Sequence, residues 1–495
     1  MFGYPGANIV DVYRRLKGAK FKFVLGRHEQ GLTHMADGYA RATGRPGVVV
    51  VTSGPGATNA ITGLATANVD GVPMVLISGQ VPLSQIGTDA FQEADMTGIC
   101  RAVTKHSFLV KSADEIPETV AQAFYIATHG KPGAVVIDIP KNIQEEMTSA
   151  QYPERISLRA YHPEHAATPS QVNRLAKLLN EAKRPVILAG GGVVSANAAK
   201  DVIALAGRAN IPVATTLMGI GSIDEKESLS LGLTGLYGTK AANEALSAAD
   251  LVIALGVRFN DRVTGVDISH YVRGKKIVHV DCDPSSIDKN VPVTLGIVAD
   301  VKDLLTTVNS RIKPAEHAKW MRRIAAWKRT DLKRSRVPYR GIIEAIAKAT
   351  DDKTILVADV GNHQMACARY FSHIRPRHFL SSGGMGTMGF AIPAAIGAAI
   401  ARPNKRVVSV IGDGGAQMTF EELIVAVELK LPITFVIINN AALGMVNTPI
   451  TSPDFIKLAA AYGMKGVRVK GAKGLAAAMA KAMRVKGPML VEVRA

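Results

Sequence analysis

Cysteine is scarce in this chain of 495 residues, which has only Cys100, Cys282 and Cys367. The three lie far apart and no pair has zinc-ligand spacing, so a disulfide framework and a structural zinc site are both unexpected. A reducing compartment, the cytoplasm, is the default expectation. No apolar run reaches the length of a membrane span, and the N-terminus lacks the basic and apolar segments of a signal peptide. The sequence thus argues against a membrane partner and against a disulfide-rich secreted domain.

No nucleic-acid-binding signature accompanies the positive charge of the chain. The net formal charge is +18, but the basic residues are dispersed, with the densest stretch at 319–340. A helix-turn-helix, zinc-finger or RNA-recognition pattern is absent. We therefore expect a solvated surface that attracts small anions, and no nucleic-acid partner. Apolar residues make up 47% and charged residues 20% of the chain, which excludes disorder as its main state.

The length, at roughly 150 residues per domain, suggests about three domains. Short β-branched runs alternate with helical patterns, and continuous apolar strands separated by helices favour a parallel sheet covered on both faces. A polar, proline-containing linker at 151–169 and a basic connector at 313–340 interrupt the pattern. We predict an α/β fold of three doubly wound parallel-sheet domains, at 1–150, 165–315 and 338–495.

The predicted strands are short apolar runs at 21–25, 48–52, 74–78, 134–139, 186–188, 213–215, 251–255, 276–280, 354–358, 407–411, 433–438 and 489–493. The predicted helices nearest the polar motifs cover 29–43, 57–68, 117–128 and 419–429. The chain begins inside a strand–turn–helix pattern, which is consistent with a missing upstream segment.

A Gly-Asp-Gly turn at 412–414 is separated by 24 residues from the pair Asn439-Asn440. Both polar ends follow predicted strands, so they are expected at the carboxyl edge of one parallel sheet, where such folds bind ligands. A glycine-rich turn that leads into a helix favours a phosphate. Asp413 and the Asn440 amide oxygen are hard ligands suited to Mg²⁺. Taken alone, Gly-Asp-Gly is more simply a turn, and Asn-Asn the end of a strand, without a function.

A second motif, Arg27-His28-Glu29-Gln30, stands at the end of the first predicted strand. By itself it is the first turn of a helix, where the helix dipole favours a glutamate. Taken with Asp413 and Asn440, it makes the sequence resemble the thiamine-diphosphate-dependent enzymes. In that family a glutamate at this position hydrogen-bonds the aminopyrimidine N1′ of thiamine diphosphate (ThDP) and favours its imino tautomer.

Within these enzymes the resemblance narrows to acetohydroxyacid synthase, also called acetolactate synthase. It rests on seven runs: 27–39 (RHEQGLTHMADGY), 51–59 (VTSGPGATN), 87–95 (GTDAFQEAD), 104–110 (TKHSFLV), 361–365 (GNHQM), 382–390 (SGGMGTMGF) and 444–446 (GMV). The resemblance implies an enzyme that uses ThDP, Mg²⁺ and FAD to join two pyruvates into 2-acetolactate with loss of CO₂, in branched-chain amino-acid biosynthesis. The three domains are then pyrimidine-binding, FAD-type and diphosphate-binding.

The resemblance also assigns roles to residues of this chain. Glu29 activates the cofactor, while Asp413, Asn440 and the carbonyl of Ala442 bind Mg²⁺. Met388 stands where the family has the bulky apolar residue that bends ThDP; core packing is its simpler interpretation. Residues implied near the diphosphate and thiazolium are Gly361, Asn362, His363, Gly386, Gly414, Gly444 and Met445. Residues implied near the pyrimidine are Gly54, Pro55 and Asn59, and those near the substrate approach are Phe91, Gln92 and Lys105.

In the family, the pyrimidine-binding and diphosphate-binding halves of one active site come from different subunits. Glu29 and Asp413 are therefore implied to act across a subunit boundary, in a homodimer or tetramer. The small-molecule partners are 2-oxo acids, pyruvate first among them. Whether a regulatory subunit binds is left open.

The middle domain resembles the flavin-binding domain of the same enzymes. The turn Gly190-Gly191-Gly192 follows a strand and suits close approach to a pyrophosphate. The run 256–265 (GVRFNDRVTG) is the stronger signal. By resemblance its Arg262 contacts FAD and meets the carboxylate of the second substrate, for which a guanidinium is a fitting partner. The other FAD contacts implied are Thr216, Leu217, Arg258, Asp281 and Asp300; for the two acids, a solvent-facing loop position is the simpler interpretation.

The resemblance breaks after Gly444. The family continues from Gly-Met-Val into Arg-Gln-Trp and a long loop that caps the active site, whereas this chain runs from Asn447 directly to Pro453 and lacks the family's C-terminal tail after Ala495. Mobile lids exclude water and complete such sites, so two alternatives stay open. One is a glyoxylate carboligase, which 189–199 and 216–219 favour and Glu29 opposes. The other is a catalytically silent cofactor-binding scaffold. The acceptor (pyruvate, 2-oxobutyrate or glyoxylate) and the retention of FAD are open as well.

Overall fold

The computed structural model of the protein describes residues 1–16, 18–156, 158–331 and 337–495. Residues 332–336 of the basic connector are thus outside the described residues. The chain forms two compact units, one of Met1–His162, Ala349–Gln364 and Leu380–Ala495, the other of Pro163–Lys348 and Met365–Phe379. Among the described residues, none of the helices combines the length and the apolar content that crossing a membrane requires.

The N-terminal part of the first unit is a six-stranded parallel sheet. Its strands are β1 (Phe2–Gly3), β2 (Val24–Leu25), β3 (Gly47–Val51), β4 (Met74–Gln80), β5 (His106–Leu109) and β6 (Ala134–Pro140), in the order β2-β1-β3-β4-β6-β5. Its helices are α1 (Val10–Leu16), α2 (Glu29–Thr43), α3 (Pro55–Thr58), α4 (Ile61–Asp70), α5 (Met96–Cys100), α6 (Ile116–Thr128) and α7 (Lys141–Glu145). Met74 and Leu76 of β4 join one apolar cluster and Val75 joins another, so both faces of the sheet are buried.

The second unit contains another six-stranded parallel sheet. Its strands are β7 (Pro185–Ala189), β8 (Val213–Thr215), β9 (Ser230–Leu233), β10 (Leu251–Leu255), β11 (Lys276–Asp281) and β12 (Leu295–Val298), in the order β12-β11-β10-β7-β8-β9. The helices are α8 (Pro169–Glu181), α9 (Gly191–Ser195), α10 (Ala199–Ala209), α11 (Lys240–Ala248), α12 (Asp261–Thr264), α13 (Ile268–Val272), α14 (Val301–Val308) and α15 (Ala318–Asp331). Again alternate strand residues, such as Ile187 and Leu188, join apolar clusters on opposite faces.

The C-terminal part of the chain forms the third sheet. The strands are β13 (Ile355–Ala358), β14 (Phe379–Ser381), β15 (Val407–Gly412), β16 (Ile433–Asn439), a separate antiparallel pair β17 (Ala442–Leu443) and β18 (Thr448–Pro449), β19 (Lys465–Lys470) and β20 (Met489–Arg494). The sheet order is β14-β13-β15-β16-β20-β19. The helices are α16 (Arg340–Ala349), α17 (Asn362–Tyr370), α18 (Ala391–Ala401), α19 (Asp413–Ala416), α20 (Leu423–Glu428), α21 (Phe455–Ala461) and α22 (Gly471–Ala482). Three six-stranded parallel sheets confirm the predicted fold class, while the predicted domain boundaries stay predictions.

Helices α2 and α18 join the two sheets of the first unit into one apolar core. A Cβ on Gly38 would overlap the carbonyl oxygen of Ala394, and a Cβ on Gly397 would overlap that of Met35. The two glycines therefore allow the helix backbones to approach closely. Because α2 starts at Glu29, this packing also fixes the axis of the helix that carries the predicted cofactor-activating carboxylate.

Replacing Gly38 by Ala is expected to lower the thermal unfolding midpoint of the first unit. The added methyl group has no space beside the Ala394 carbonyl, and overpacking of this kind costs about 1–3 kcal/mol. Gly207 of α10 is a matched control, because nothing lies within 4 Å of a Cβ placed there. Gly207→Ala should stabilise its own unit by up to about 1 kcal/mol. Calorimetry measures both variants, and a Gly38→Ala midpoint equal to the parent's contradicts the close approach of the helices.

Several predicted elements differ from the structure near their ends. The predicted strand at 21–25 shortens to Val24–Leu25. The predicted helix at 57–68 is two helices, because the chain breaks between α3 and α4 at Asn59 and Ala60. The predicted helix at 419–429 opens with a 3₁₀ turn, Phe420–Glu422, ahead of α20. Short edge strands such as β5 and β12 were not predicted, since half-exposed edge strands lack the continuous apolar run that marks central strands.

The prediction that 313–340 is only a connector is wrong for its central part. This segment contains α15, in which Trp320 and Ile324 are buried in an apolar cluster of the second unit. The indole Nε1 of Trp320 donates to the carbonyl oxygen of Pro185 at 3.1 Å. The apolar residues at 320, 324 and 327 follow helical spacing, a signal that the many lysines and arginines around them obscured.

Candidate active site

Glu29 occupies the first turn of α2, directly after strand β2. His28 is the N-cap, and its ring nitrogen accepts from the backbone N–H of Gln30. The Glu29 carboxylate is half-buried and accepts from the side-chain amide of Asn59 at 3.0 Å. A Cβ on Gly56 would lie 3.3 Å from Glu29 Oε1, so the α3 turn closes against the carboxylate. The structure thus brings Glu29 and Asn59, both predicted site residues, into direct contact.

The loop at 87–93 packs against the turn at Gly54, immediately before α3. Gly54 has φ +57°, and a Cβ there would lie 2.9 Å from the Cβ of Gln92. Gln92 itself has φ +63°, a left-handed conformation that a non-glycine residue rarely adopts. The Glu93 carboxylate stabilises this loop by accepting from the backbone N–H groups of Gly87 and Ala90, which also lower the pKa of Glu93. Gln92, which the resemblance placed on the substrate approach, therefore lies beside the Gly54 turn, and Phe91 is 85% exposed next to it.

Lys105 is not brought to this group of residues. Its ammonium donates to the backbone carbonyls of Ile126 and His129, the latter at 2.7 Å, and to the hydroxyl of Tyr161 at 2.9 Å. These carbonyls lie at the C-terminal end of α6, where the helix dipole attracts a cation. In this structure Lys105 therefore stabilises a helix end, and the structure gives no support to its predicted place on the substrate approach.

Asp413, Asn440 and Ala442 meet at the carboxyl edge of the third sheet. One atom of the Asn440 amide lies 3.0 Å from the carbonyl oxygen of Ala442 and 3.2 Å from Asp413 Oδ1. With its nitrogen in that position, the amide donates to both oxygens. With its oxygen there, three acceptors converge without a donor, an arrangement that is stable only around a cation. Neighbouring ligands of an octahedral Mg²⁺, with bonds of about 2.1 Å, lie about 3 Å apart, so the spacing fits this ion.

The carboxylate of Asp413 is held from its other side. Asp413 is 1% exposed, and its Oδ2 accepts from the hydroxyl of Ser452 at 2.9 Å. Asp413 is also the first residue of the short helix α19, with Gly412 as its N-cap. The predicted plain turn is thus already the first turn of a helix, and its carboxylate is oriented by a serine that the sequence did not single out.

Met388, Gly414 and Leu443 lie against one another beside this cluster. A Cβ on Gly414 would lie 2.5 Å from a methyl carbon of Leu443 and 3.4 Å from the terminal methyl of Met388. A Cβ on Gly444 would similarly lie 2.8 Å from the side-chain amide of Asn362. Met388 thus lies beside Gly414, the neighbour of Asp413, and Asn362 lies beside Gly444, which is itself close to Asn440. Gly386 lies two residues before Met388 with φ +63°, and Met445 is 44% exposed.

His363, in the first turn of α17, and Asp359, directly after β13, support this region. His363 Nε2 accepts from the backbone N–H of Gly412 at 3.2 Å, and burial lowers the pKa of His363 to about 4, so the ring stays neutral. A Cβ on Gly361 would lie 2.7 Å from the same ring. Asp359 is fully buried, which raises its pKa to about 6, and it accepts from the N–H groups of Gly389 and Ala391. Sequence reasoning missed Asp359, although its position directly after a buried strand was a usable signal.

The loop that carries Met388 is also held by the N-terminal sheet's helix α4. Asp70 accepts from the backbone N–H groups of Gly383 at 2.9 Å and Gly384 at 2.7 Å, and it pairs with the buried Arg41 at 2.9 Å. The hydroxyl of Thr66 lies 2.7 Å from that of Thr387. The contacts of Asp70 and Thr66 with this loop could not be read from sequence motifs, because they join segments more than 300 residues apart.

In the second unit, close backbone packing explains the glycines at positions 190 and 192. A Cβ on Gly190 would overlap the carbonyl oxygen of Gly256, and a Cβ on Gly192 would lie 2.6 Å from the Gly256 Cα. Gly256 has φ +60°. The turn after β7 and the turn after β10 therefore pack backbone against backbone. Gly191 is less constrained, since its nearest neighbour would be Met218 at 3.1 Å.

The other predicted flavin contacts differ in their burial and in their neighbours. Asp300 is the N-cap of α14, and the buried Asp281 accepts from the backbone N–H of Asp283 at 2.9 Å. Thr216 is buried and Leu217 packs in a small apolar cluster. The Arg262 side chain is 70% exposed and lines a cavity of about 500 Å³. The carbonyl of Arg258 accepts from Asn290 at 2.8 Å.

Comparison with known proteins gives the family. Three thiamine pyrophosphate enzyme domains match: the N-terminal TPP binding domain at 1–99, the central domain at 172–308 and the C-terminal TPP binding domain at 359–493. The chain is similar to the acetolactate synthase large subunit of Haemophilus influenzae, at 41% identity over 99% of this chain and 90% of that protein. It is similar to the acetolactate synthase isozyme 3 large subunit of Escherichia coli (40%; 100% and 91%) and to the mitochondrial acetolactate synthase catalytic subunit of Saccharomyces cerevisiae (40%; 100% and 78%). The chain therefore belongs to the acetolactate synthase large-subunit family of thiamine pyrophosphate enzymes.

Proposed function

We propose that this protein joins two pyruvates into 2-acetolactate with loss of CO₂, as a ThDP- and Mg²⁺-dependent catalytic subunit. The observation that carries the proposal is the convergence of Asp413, Asn440 and Ala442, whose spacing fits an octahedral Mg²⁺. The names of its relatives support the reaction. The experiment is an assay of the purified protein with pyruvate, ThDP, Mg²⁺ and FAD. Acetolactate is the expected product, and acetaldehyde alone, or no product, contradicts the proposal.

Glu29 would supply the proton chemistry at the cofactor. When bound, ThDP supplies a ring that stabilises the carbanion left after a 2-oxo acid loses CO₂. The carboxylate of Glu29, oriented by Asn59, would hold a proton at the aminopyrimidine N1′ and return it as the reaction requires. Because α2 is fixed by close packing against α18, the carboxylate has little freedom to move away.

Asp413, Asn440 and Ala442 would hold the metal ion that binds the diphosphate. Their donor set, one carboxylate, one amide oxygen and one carbonyl, is the hard-oxygen set that Mg²⁺ prefers. Among the described residues, no group of three His, Cys, Asp or Glu side chains offers another metal site. Met388, beside Gly414, would press on the cofactor between its two rings, and Gln92 would contact the substrate from the 87–93 loop.

FAD is proposed with weaker structural support. Arg262 has an exposed guanidinium on the wall of a cavity, where it lies 3.6 Å from the exposed carboxylate of Asp261 and can also meet an anionic ligand. Gly190 and Gly192, in contrast, are occupied by backbone packing, and Asp281 and Asp300 accept from backbone N–H groups. The residues present therefore fit a flavin only in part, and the carboligation has no net redox step that would require one. The absorption spectrum of the purified protein decides whether a flavin is retained.

We also propose that the active unit is a homodimer or a larger assembly, in which Glu29 of one subunit acts on a cofactor held by Asp413 of the partner. Membership of the family supports this proposal, while within the chain itself Glu29 accepts from Asn59 and Asp413 accepts from Ser452. The relatives are named large or catalytic subunits, which favours a smaller, regulatory partner. A cytoplasmic location stays a prediction.

Glyoxylate carboligase remains the second candidate. The segments 189–199 and 216–219 of the middle domain favour it, while Glu29 opposes it. The shortened segment between Gly444 and Pro453, which leaves Met445 and Val446 44% and 68% exposed, supports the silent scaffold instead. A parallel assay of glyoxylate and pyruvate separates the two reactions: faster turnover of glyoxylate to tartronate semialdehyde contradicts the first proposal. A parent protein that binds no ThDP would instead favour the silent scaffold.

A further inference from the structure

Glu422 is a fully buried carboxylate that the chemistry above does not use. It ends the 3₁₀ turn Phe420–Glu422, which follows the Gly-Asp-Gly helix α19 along the chain. Its Oε1 accepts from the backbone N–H of Arg27 at 3.1 Å and of His28 at 2.9 Å, and its Oε2 lies 3.1 Å from the Arg27 nitrogen. A residue of the C-terminal sheet region thus binds the backbone immediately ahead of Glu29.

The two N–H groups belong to the start of α2. His28 is the N-cap and Glu29 is the first helical residue. Helix starts leave several N–H groups without partners inside the helix, and a carboxylate near them is favoured by the helix dipole. By fixing the backbone of Arg27 and His28, Glu422 restricts the direction in which the Glu29 side chain leaves the helix.

The surrounding residues are shaped around this carboxylate. A Cβ on Gly31 would overlap Glu422 Oε1, and a Cβ on Gly26 would lie 3.5 Å from it. Glycine at position 31 therefore leaves room for the carboxylate against the first turn of α2. On the other side, the guanidinium of Arg27 binds Glu428 of α20, which ties the same two segments together a second time.

The charge of Glu422 depends on its burial and its neighbours. Burial raises the pKa of Glu422 to about 7, while the N–H groups of Arg27 and His28 act in the opposite direction. The charged groups that act on it are Glu421, which raises the pKa, and Arg27, which lowers it; Glu428 lies beyond Arg27. The carboxylate accepts best when ionised, so its hold on α2 should strengthen as the pH rises through about 7.

We propose that Glu422 is a positioning residue for Glu29, which holds the first turn of α2 so that the Glu29 carboxylate meets the aminopyrimidine N1′. The inference rests on the proposed function, because it assigns to Glu29 the proton transfer at the cofactor. Glu422 belongs to the C-terminal sheet region of the first unit, whereas Glu29 belongs to the N-terminal one. We assign Glu422 no contact of its own with the cofactor.

The first test needs no cofactor. Glu422→Gln retains the shape of the side chain but removes its charge, and Gly31→Ala pushes the carboxylate away without changing its chemistry. In both variants, amide hydrogen exchange of a peptide covering Arg27 and His28 is expected to be at least about 10-fold faster than in the parent, since a charge-assisted hydrogen bond is lost. In the parent, after correction for the intrinsic rate, protection should increase as the pH rises through about 7, whereas in Glu422→Gln it should not.

The second test separates positioning from simple stability. It measures the exchange of the C2 proton of bound ThDP for deuterium by NMR, at saturating ThDP and Mg²⁺ and without pyruvate. Glu422→Gln and Gly31→Ala should slow this exchange by about 10- to 100-fold, with unchanged affinity for ThDP. Glu421→Gln, a half-buried neighbour that makes no contact with α2 in this account, is the matched control and should behave like the parent.

Failure of this inference and failure of the proposed function give different results. Faster amide exchange with unchanged C2 exchange would make Glu422 a structural cap only and would overturn the inference. Parent-like behaviour of both variants in both measurements would overturn it as well. A parent that exchanges C2 rapidly but forms no acetolactate contradicts the proposed reaction while leaving the inference intact. If Glu422→Gln does not fold, Gly31→Ala decides.

Discussion

Replacing Glu29 by Gln is expected to reduce the turnover number for acetolactate by about 10²- to 10⁴-fold, the usual contribution of a positioned acid–base group. The amide retains the shape of the side chain and an oxygen that can accept from Asn59. It has no carboxylate to share a proton with the aminopyrimidine N1′. The loss should therefore appear in the turnover number, while the affinity for ThDP and Mg²⁺ changes little.

Steady-state kinetics and calorimetric titration with ThDP measure the two effects separately. Glu118→Gln is the matched control: Glu118 is an exposed residue of α6 whose carboxylate contacts only Gln122 among its described hydrogen bonds. It should retain parental turnover. If Glu29→Gln keeps more than about a third of the parental turnover number, general acid–base catalysis by Glu29 is contradicted.

Replacing Asp413 by Ala is expected to abolish Mg²⁺-dependent binding of ThDP, raising its dissociation constant by at least about 100-fold. Loss of a residue that only orients a metal ligand costs about 10- to 100-fold, and Asp413 is the only charged member of the cluster with Asn440 and Ala442. Ser452→Ala provides a graded comparison, because it removes only the hydrogen bond to Asp413 Oδ2. Its dissociation constant for Mg²⁺ should rise by about 10-fold.

The metal-free protein provides the internal check on this prediction. Asp413 is 1% exposed, and a carboxylate that is buried without a cation is costly, so its removal from the metal-free protein relieves that cost. The thermal midpoint of Asp413→Ala without metal should thus equal or exceed that of the parent. Addition of ThDP and Mg²⁺ should raise the thermal midpoint of the parent but not that of Asp413→Ala. Asp352→Asn, at an exposed position before β13, is the control. A stabilisation of Asp413→Ala by ThDP and Mg²⁺ equal to the parent's would contradict the assignment of the metal site.

The parallel-sheet architecture could be predicted from the sequence because its physical basis is local. Central strands such as β10 and β16 are buried on both faces, and that burial requires an uninterrupted apolar run. The polar ends of β15 and β16 were placed correctly at one sheet edge for the same reason. The prediction that 313–340 is only a connector failed for a local reason as well. The helical spacing of Trp320 and Ile324 in α15 lies within a strongly basic segment, which obscured it.

The parts of the candidate site that escaped prediction are long-range contacts. Asp70, Asp359 and Glu422 are ordinary acids in the sequence, and they acquire importance only because the fold places backbone N–H groups against them. Lys105 shows the opposite case, a motif residue whose ammonium the fold directs to the end of α6. Sequence motifs therefore reveal the groups that a cofactor would touch. They reveal less readily the residues that hold those groups in place.

The most direct test of the account mixes two inactive variants, Glu29→Gln and Asp413→Ala, in one assembly. If each site takes Glu29 from one subunit and Asp413 from its partner, a mixed dimer has one site with both substitutions and one intact site. Random pairing makes half of the dimers mixed, so about one quarter of the parental activity should return. Mixed dimers that form but regain no activity would contradict a site built from Glu29 of one subunit and Asp413 of the other.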